Sequence, residues 1–160
     1  MSERDLSLRP LSVEDAAAMT VVLADDSLYR FMGGSPPTEE ELDRRYSARA
    51  RGTSPDGSEV WINRVVALGC KPIGYVQATL FRDGDIAEVA WVIGVPWQSH
   101  GHAKRAIRLL LDELVGRGVS SLVAHIHPDH MASQRVAESI GLLATDETND
   151  GEVRWVGPVH

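Results

Sequence analysis

Hydrophobic positions recur with two different periods along the chain, and the changes of period separate candidate strands from candidate helices. Apolar and polar residues alternate over residues 6–11, which predicts a first strand. Two helices are predicted next, beginning at Ser12 and at Thr38, because acidic residues follow each of them as they do a helix N-cap. These helices are expected to end near residues 24 and 50.

Three strand signals follow in the middle of the chain. Segments rich in β-branched and aromatic residues, separated by short stretches that contain glycine, occupy positions 59–68, 73–81 and 86–95. The connections at 69–72 and 82–85 are short enough for tight turns. The three strands are therefore predicted to form an antiparallel meander.

The second half of the chain predicts a crossover connection. One face of a helix at 101–115 carries apolar residues at helical spacing, namely Ile107, Leu110, Leu111, Leu114 and Val115. A strand at 121–126 follows this helix and is predicted to lie parallel to the strand before it. A helix at 132–140 comes next, and the segments 142–145 and 152–156 predict a final hairpin around Asn149-Asp150-Gly151.

Composition narrows the classes of function. The chain has 160 residues, of which 16 are basic and 23 are acidic, for a net charge of -7. This balance argues against a nucleic-acid-binding protein, which needs a basic surface. No apolar run reaches the length of a membrane span, and the single cysteine, Cys70, has no partner for an internal disulfide. We therefore expect one cytoplasmic domain over residues 1–160, without nucleic-acid or membrane partners.

One loop carries the strongest chemical signal. Residues 98–103 read Gln-Ser-His-Gly-His-Ala, a Q-x-x-G-x-A pattern between a predicted strand and a predicted helix. A helix N-terminus directs free N–H groups and a positive dipole end at one point, and Gly101 would let an anion approach the backbone. Lys104, Arg105 and Arg108 add positive charge nearby. An ordinary turn and a solvated basic face remain open as simpler interpretations.

Several other segments, together with this loop, carry a resemblance to a known family. They are Ala87-Glu88-Val89-Ala90-Trp91, Ile126-His127-Pro128-Asp129-His130-Met131-Ala132-Ser133 and Ser139-Ile140-Gly141-Leu142. In this order they resemble the GNAT family of N-acetyltransferases over nearly the whole chain. Residues 29–40 are similar to the branch that includes ribosomal-protein N-terminal acetyltransferases and some aminoglycoside acetyltransferases. The resemblance implies a three-layer α/β fold, with a mixed, mainly antiparallel sheet and helices on both faces.

The resemblance also implies a cosubstrate and the residues that hold it. Acetyl-CoA is the acyl donor of the family, and its pyrophosphate would bind the loop residues Gln98, Ser99, His100, Gly101, His102, Ala103 and Lys104. The family separates its central strand from the next one. That separation would free backbone groups for the pantetheine arm at Val92, Ile93, Gly94 and Val95. An ordinary paired strand is the alternative that the sequence leaves open.

Glu88 is the candidate base. By alternation along its strand it shares a face with Ala90 and Val92, so a carboxylate stands among apolar side chains. Acyl transfer to an amine needs a base, because an ammonium ion has no lone pair to attack with. The resemblance implies this role for Glu88. A salt bridge to a neighbouring strand would explain the same residue structurally.

Two positions depart from the pattern of the family. His130 stands where an asparagine that contacts coenzyme A is common, and an imidazole can still donate one hydrogen bond to it. Ala137 stands where many relatives carry a tyrosine that protonates the departing thiolate. Ser133 is the nearest replacement hydroxyl, so we predict that it contacts the cofactor and acts as the acid. Capping of the adjacent helix explains Ser133 equally well.

Three histidines raise a different hypothesis. His125, His127 and His130 form an H-x-H-x-x-H pattern, and the first two point the same way on a strand. Imidazoles so arranged can bind a transition metal, although a metal site also needs a third ligand and an outer shell of hydrogen bonds. Solvated loop histidines are the favoured interpretation. We expect a protein without a metal cofactor.

These patterns together predict an acetyl-CoA-dependent N-acetyltransferase that acts on a primary amine by direct attack in a ternary complex. The alternative is a non-catalytic acyl-CoA-binding or regulatory module of the same fold. The acceptor would be a small-molecule or peptide amine, held by a wall that includes Tyr29, Phe31 and Met32. Packing in the core is the other explanation for these side chains. The sequence does not fix the oligomeric state, and a homodimer is compatible with it.

Overall fold

A mixed β-sheet forms the centre of the molecule. The computed structural model describes residues 5–81 and 85–159. These residues form seven strands: β1 (Leu6–Pro10), β2 (Glu59–Leu68), β3 (Lys71–Phe81), β4 (Ile86–Ile93), β5 (Ser121–Ile126), β6 (Leu143–Asn149) and β7 (Glu152–Pro158). They lie in the order β1-β2-β3-β4-β5-β7-β6, and every neighbouring pair is antiparallel except β4 and β5, which are parallel.

Helices cover both faces of this sheet. They are α1 (Ala16–Val22), α2 (Tyr29–Met32), α3 (Glu39–Arg49), α4 (His102–Gly116) and α5 (Met131–Ser139). On one face α1 and α3 pack through Met19 and Leu42 against Val65. On the other face α4 and α5 bury Leu110 and Val136 in the larger core cluster. The predicted three-layer α/β fold with a mixed, mainly antiparallel sheet is confirmed.

Most elements lie where the sequence patterns place them. The strands predicted at 59–68 and 121–126 have those bounds. Thr38 caps α3, because its Oγ1 accepts a 3.1 Å hydrogen bond from the backbone N–H of Glu41. Ser12 donates its backbone N–H to Asp15 Oδ2 at 2.8 Å, as in a capping box. The turn predicted at 82–85 lies largely outside the described residues.

None of the helices in the described residues is both long and apolar enough to cross a membrane.

Several details differ from the predicted elements. β3 begins at Lys71 rather than at residue 73, β6 extends to Asn149 rather than to residue 145, and the helix predicted to run from Ser12 to residue 24 is confined to Ala16–Val22 after a short 3-10 turn. The strand predicted to reach residue 95 ends at Ile93, because Val95–Trp97 form a short 3-10 turn. Val115 is 50% exposed and does not belong to the buried stripe of α4, since it lies in the last turn at the edge of that stripe. The single turn α2 has no predicted counterpart, because four residues are too few to show a period.

The parallel pair of strands is short. Among the described residues the ladder between β4 and β5 comprises three positions and ends where Glu88 pairs with Val123. Beyond this point β4 continues to Ile93 on its ladder with β3, and β5 continues to Ile126 on its ladder with β7. The two strands therefore diverge and leave a gap within the sheet.

Gly74 lets β3 approach the diverging end of β4. A Cβ at this position would collide with the carbonyl oxygen of Val92 and would lie 2.9 Å from the Cα of Ile93. Both neighbours are backbone atoms and cannot rotate away. We expect Gly74→Ala to lower the free energy of unfolding by about 1–3 kcal/mol, the usual cost of overpacking. Urea denaturation of the purified variant measures this change.

Gly116 provides a matched control for this prediction. It is the last residue of α4, and a Cβ there would meet no atom within 4 Å. Because alanine is the better helix former, Gly116→Ala is expected to leave stability unchanged or to raise it by up to about 1 kcal/mol. Equal losses at Gly74 and Gly116 would contradict the close backbone approach of β3 and β4.

Candidate active site

The gap between β4 and β5 opens into a cleft of about 880 Å³. The two strands line its inner wall, and α2, the N-terminus of α4 and the first turns of α5 complete it. Its polar lining brings together side chains that are distant in sequence: Gln77, Glu88, His125, His127, His130, Ser133 and Glu152. A ligand in the cleft would contact both halves of the sheet.

The edge of β4 offers backbone hydrogen-bonding groups to this cleft. Gly94 donates its N–H to the carbonyl of Ile73 at 2.8 Å, so Gly94 bonds toward β3. Consecutive residues of a strand direct their backbone groups to opposite sides, so Val92 also bonds toward β3, whereas Trp91 and Ile93 face the gap. Gly94 and Val92, which were predicted to free their backbone groups for a ligand, therefore direct them toward β3. The role of Ile93 toward a ligand stays a prediction, and Trp91 faces the gap in the same way.

Gln98 ties the loop after β4 to the end of the strand. Its Nε2 donates a 2.9 Å hydrogen bond to the carbonyl oxygen of Ile93, and its backbone N–H donates to Val95 at 3.2 Å. The side chain thus fixes the loop against the strand edge. Val95 belongs to the short turn before this loop and is not among the residues that line the cleft.

The loop shapes the surface at the start of α4, where the sequence predicts an anion-binding site. Ser99 and Gly101 have φ angles of 67° and 79°, and α4 begins directly afterwards at His102. The first N–H groups of a helix have no partner within it, and left-handed residues turn such groups toward one point. A Cβ on Gly101 would meet no atom within 4 Å, so the surface in front of it is open. With Lys104 beside it, this arrangement fits a pyrophosphate.

His102 adds a polar group to the same surface. Its Nδ1 is buried and has no hydrogen-bond partner within the described residues. Burial, and then the positive charge of Arg105, lower the pKa of His102, and this favours the neutral ring. His100 is exposed, with its ring 5.7 Å from that of His102, and it does not line the cleft.

Glu88 lies where β4 and β5 diverge. Its Oε1 is 2.9 Å from Nδ1 of His125 on β5, and its side chain is 43% exposed. Glu152 of β7 lines the same cleft, and burial raises the pKa of its carboxyl, partly opposed by His125 and His127. Glu88 therefore has a partner on the neighbouring strand and also faces the cleft.

Two residues face the cleft from the start of α5. His130 precedes the helix, and its ring stacks on Phe31 of α2 with centroids 4.6 Å apart at 17°. Burial, and then His127, lower the pKa of His130. Ser133 lies in the first turn with its Oγ 3.4 Å from Nε2 of His130. Because His130 occupies the N-cap position, the alternative that Ser133 caps the helix is wrong.

The wall that the sequence predicts to hold the acceptor is formed by α2. Phe31 and Met32 line the cleft, and Phe31 also approaches His127, with ring centroids 5.1 Å apart. Tyr29 does not line the cleft, because its hydroxyl donates a 2.8 Å hydrogen bond to the carbonyl of Leu23 and so ties α2 to the end of α1. Ala137 is fully buried in the core, so the cleft has no side chain from that position.

The structure therefore brings most of the predicted site residues to one place. Those that line the cleft are Glu88, Val92, Ile93, Gln98, Ser99, Gly101, His102, Ala103, Lys104, His130, Ser133, Phe31 and Met32. Those that lie away from it are Tyr29, Gly94, Val95 and His100. Their roles toward ligands stay predictions.

The three histidines of the H-x-H-x-x-H pattern have separate partners. His125 contacts Glu88, His127 accepts a 3.0 Å hydrogen bond at Nδ1 from the backbone N–H of Asp129, and His130 stacks on Phe31. Within residues 5–81 and 85–159, no three His, Cys, Asp or Glu side chains are arranged to hold a metal ion.

Comparison with known proteins identifies the family. Residues 5–143 match the family model described as "Acetyltransferase (GNAT) domain". The chain belongs to the GNAT acetyltransferase family. This assignment confirms the resemblance seen in the sequence and supports acetyl-CoA as the cosubstrate. The comparison with curated protein sequences finds no match.

Solved structures share the GNAT fold at low identity. RimL, a ribosomal L7/L12 alpha-N-protein acetyltransferase in complex with coenzyme A, has a TM-score of 0.80 and 16% identity, covering 96% of this chain and 94% of that chain. The aminoglycoside acetyltransferase AAC(6')-Ib with coenzyme A has a TM-score of 0.78 and 17% identity over 96% and 95%. An acetyltransferase from Thermus thermophilus has a TM-score of 0.76 and 20% identity over 99% and 100%.

Sequence reasoning missed two groups in this GNAT site. Glu152 reaches the cleft because β7, rather than β6, pairs with β5, and no local pattern encodes that order. The sequence pattern alone did not predict the contact between His125 and Glu88. Alternation places His125 on a defined face of β5, but the register with β4 is needed to place it beside Glu88.

Proposed function

We propose that the chain transfers the acetyl group of acetyl-CoA to a primary amine by direct attack within one ternary complex. The observation that carries this proposal is the divergence of β4 and β5 at Glu88. It surrounds one cleft with three features. The open strand edge suits the pantetheine arm, the helix N-terminus suits the pyrophosphate, and the carboxylate suits the acceptor ammonium. Membership of the GNAT family supports the same conclusion.

The donor would lie along β4 with its phosphates at α4. Trp91 and Ile93 present backbone groups to the pantetheine arm, and this resembles the addition of a strand to a sheet edge. Residues 99–104 present backbone N–H groups and Lys104 to the pyrophosphate. Gln98 acts indirectly, because it holds the loop against Ile93.

Glu88 would act as the general base and Ser133 as the acid. The acetyl carbonyl has to lie at the divergence of the strands if the arm follows β4, and this places the incoming amine near Glu88. The carboxylate favours loss of the ammonium proton. The departing sulfur would leave toward α5, where Ser133 is the hydroxyl that faces the cleft. Ala137 is buried, and this supports Ser133 rather than a residue at position 137.

The acceptor would enter on the side of α2. Phe31 and Met32 give that side an apolar surface, and Glu88 and Glu152, which line the same cleft, carry carboxylates that suit an ammonium group. Structural relatives support two kinds of acceptor: RimL is named for a ribosomal protein, and AAC(6')-Ib was solved with ribostamycin and coenzyme A. We propose a small-molecule or peptide amine for this chain.

A thiol-release assay tests the proposed function. The purified protein is mixed with acetyl-CoA and a panel of polyamines, aminoglycosides and peptides with free N-termini, in buffer that contains a metal chelator. Acceptor-dependent release of free thiol is expected without added metal, with the acetylated amine detected by mass spectrometry. Loss of turnover on chelation, restored by zinc, would revive the histidine metal site. Tight acetyl-CoA binding without turnover on any amine would favour the non-catalytic module.

A further inference from the structure

A carboxylate–imidazole pair stands at the inner end of the cleft. Glu88 Oε1 and His125 Nδ1 are 2.9 Å apart, and their side chains are 43% and 23% exposed. Glu88 closes the parallel ladder by pairing with Val123, and His125 lies two residues further along β5 on the same face. Because the strands diverge at this point, both side chains line the cleft.

The contact with Glu88 leaves the other ring nitrogen of His125 available. An ionised carboxylate only accepts hydrogen bonds, so a neutral ring donates its proton to Glu88 through Nδ1 and keeps a lone pair on Nε2. Within the described residues Nε2 of His125 has no hydrogen-bond partner. Imidazole is the side chain that titrates nearest to neutral pH, whereas an ordinary glutamate titrates at about 4.3 and is a weak base at pH 7.

Charged groups from several elements surround the pair. Glu152 on β7 lines the cleft near His125, and Arg154, the β7 partner of His125 in the ladder, is paired with Glu147 at 3.1 Å. His127 lies beyond the end of β5, 3.9 Å from Asp129. The other titratable or charged groups that line the cleft are Arg30, Tyr75, His102, Lys104, His130 and Arg135. The carboxylates of Glu88 and Glu152 therefore both interact electrostatically with the imidazole of His125.

We propose that His125, held by Glu88, is the group that takes the proton from the acceptor ammonium. The inference rests on the proposed acetyl transfer and refines the part given there to Glu88, which becomes a positioning residue. An N–H of the ammonium passes its proton to Nε2. The freed lone pair attacks the carbonyl carbon of the acetyl thioester, so that the C–N bond forms and the C–S bond breaks. The second proton of the nitrogen goes to the thiolate through Ser133, and the proton on Nε2 returns to solvent.

His125→Asn separates two roles of the ring, which are the hydrogen bond to Glu88 and the acceptance of a proton at Nε2. The asparagine amide can still donate a hydrogen bond to Glu88 from nearly the position of Nδ1, but it cannot accept a proton near neutral pH. We expect kcat to fall by about 10²–10⁴-fold, the usual contribution of a general base. The KM for acetyl-CoA should change little. Near neutral pH the wild-type rate should rise with pH, as a rate that depends on a general base does, and the rate of the variant should lack this rise.

Rescue with free imidazole provides a second, independent readout. His125→Ala leaves space where the ring was, so added imidazole should restore a large part of the lost rate, and the restored rate should follow the fraction of neutral imidazole. Melting temperatures of both variants are measured in parallel. A purely structural role predicts a lower melting temperature with no rescue.

The outcomes distinguish this inference from the proposed function. Wild-type kcat and an unchanged pH profile in His125→Asn, together with a large loss in Glu88→Gln, would mean that Glu88 is the base itself. That result would overturn the role of His125 and leave acetyl transfer intact. Absence of thiol release from the wild-type protein with every amine would overturn the proposed function, and the inference with it.

Discussion

Replacing Glu88 with glutamine is expected to lower turnover at pH 7 by about 10²–10⁴-fold. Glutamine keeps the length of the side chain and can still contact Nδ1 of His125, but it has no negative charge. The loss is expected whether Glu88 takes the proton itself or holds His125, because both roles need the carboxylate. The affinity for acetyl-CoA should be nearly unchanged, since the predicted donor contacts lie on β4 and α4. Steady-state kinetics and calorimetric titration with acetyl-CoA measure the two effects.

The pH dependence and a control variant complete this test. The defect of Glu88→Gln should shrink as the pH rises toward the pKa of the acceptor amine, because more free amine is then present without help. Glu138→Gln removes an exposed carboxylate of α5 that does not line the cleft, and it should leave turnover unchanged. If Glu88→Gln were as active as the wild type but melted earlier, the pair with His125 would be a structural salt bridge only.

A glutamate at position 101 is expected to remove most of the thermal stabilisation that coenzyme A gives. A ligand that binds only the native state and is present at a concentration 100 times its dissociation constant stabilises a protein by about 2.7 kcal/mol. Gly101→Glu would place a side chain and a negative charge in front of the free N–H groups of α4, where the pyrophosphate is proposed to lie. Thermal melting with and without coenzyme A measures the change.

Gly118→Glu is the matched control for this variant. Gly118 follows the opposite end of α4, has a φ of 88°, and like Gly101 has open space where a Cβ would stand. The two substitutions therefore carry similar backbone strain and the same charge, but only the first lies at the proposed phosphate site. In Gly118→Glu, coenzyme A should still raise the melting temperature as it does in the wild type. An undiminished shift in Gly101→Glu would place the pyrophosphate elsewhere.

Local patterns were sufficient for the elements that build the site. Alternation placed Glu88 on a definite face of β4, and the Q-x-x-G-x-A loop lies at the start of α4 with Gly101 in the left-handed conformation that its residue type suggests. These features depend on nearby residues, because strand alternation and helix initiation are decided within a few positions. Long segments with a clear period were therefore predicted well.

Contacts that depend on the register of distant strands could not be predicted. The partnership of Glu88 with His125 needs the alignment of β4 with β5 across a whole helix. The exclusion of Gly94 from the open edge depends on its bond to Ile73, which the register with β3 decides. The stacking of Phe31 on His130 joins two segments about a hundred residues apart. In each case tertiary packing, and not local preference, decided the outcome.

The open edge of β4 also bears on self-association. A strand with unpaired N–H and C=O groups at the rim of a sheet can add a strand from another chain, and this is a route to aggregation. Here the edge formed by Trp91 and Ile93 lies inside a cleft walled by α2 and α5, and Gln98 already occupies the carbonyl oxygen of Ile93. An approaching strand would have to bring its own side chains past Phe31 and His130, whereas a slender ligand needs far less width. The fold thus keeps a binding edge available while shielding it from other polypeptides.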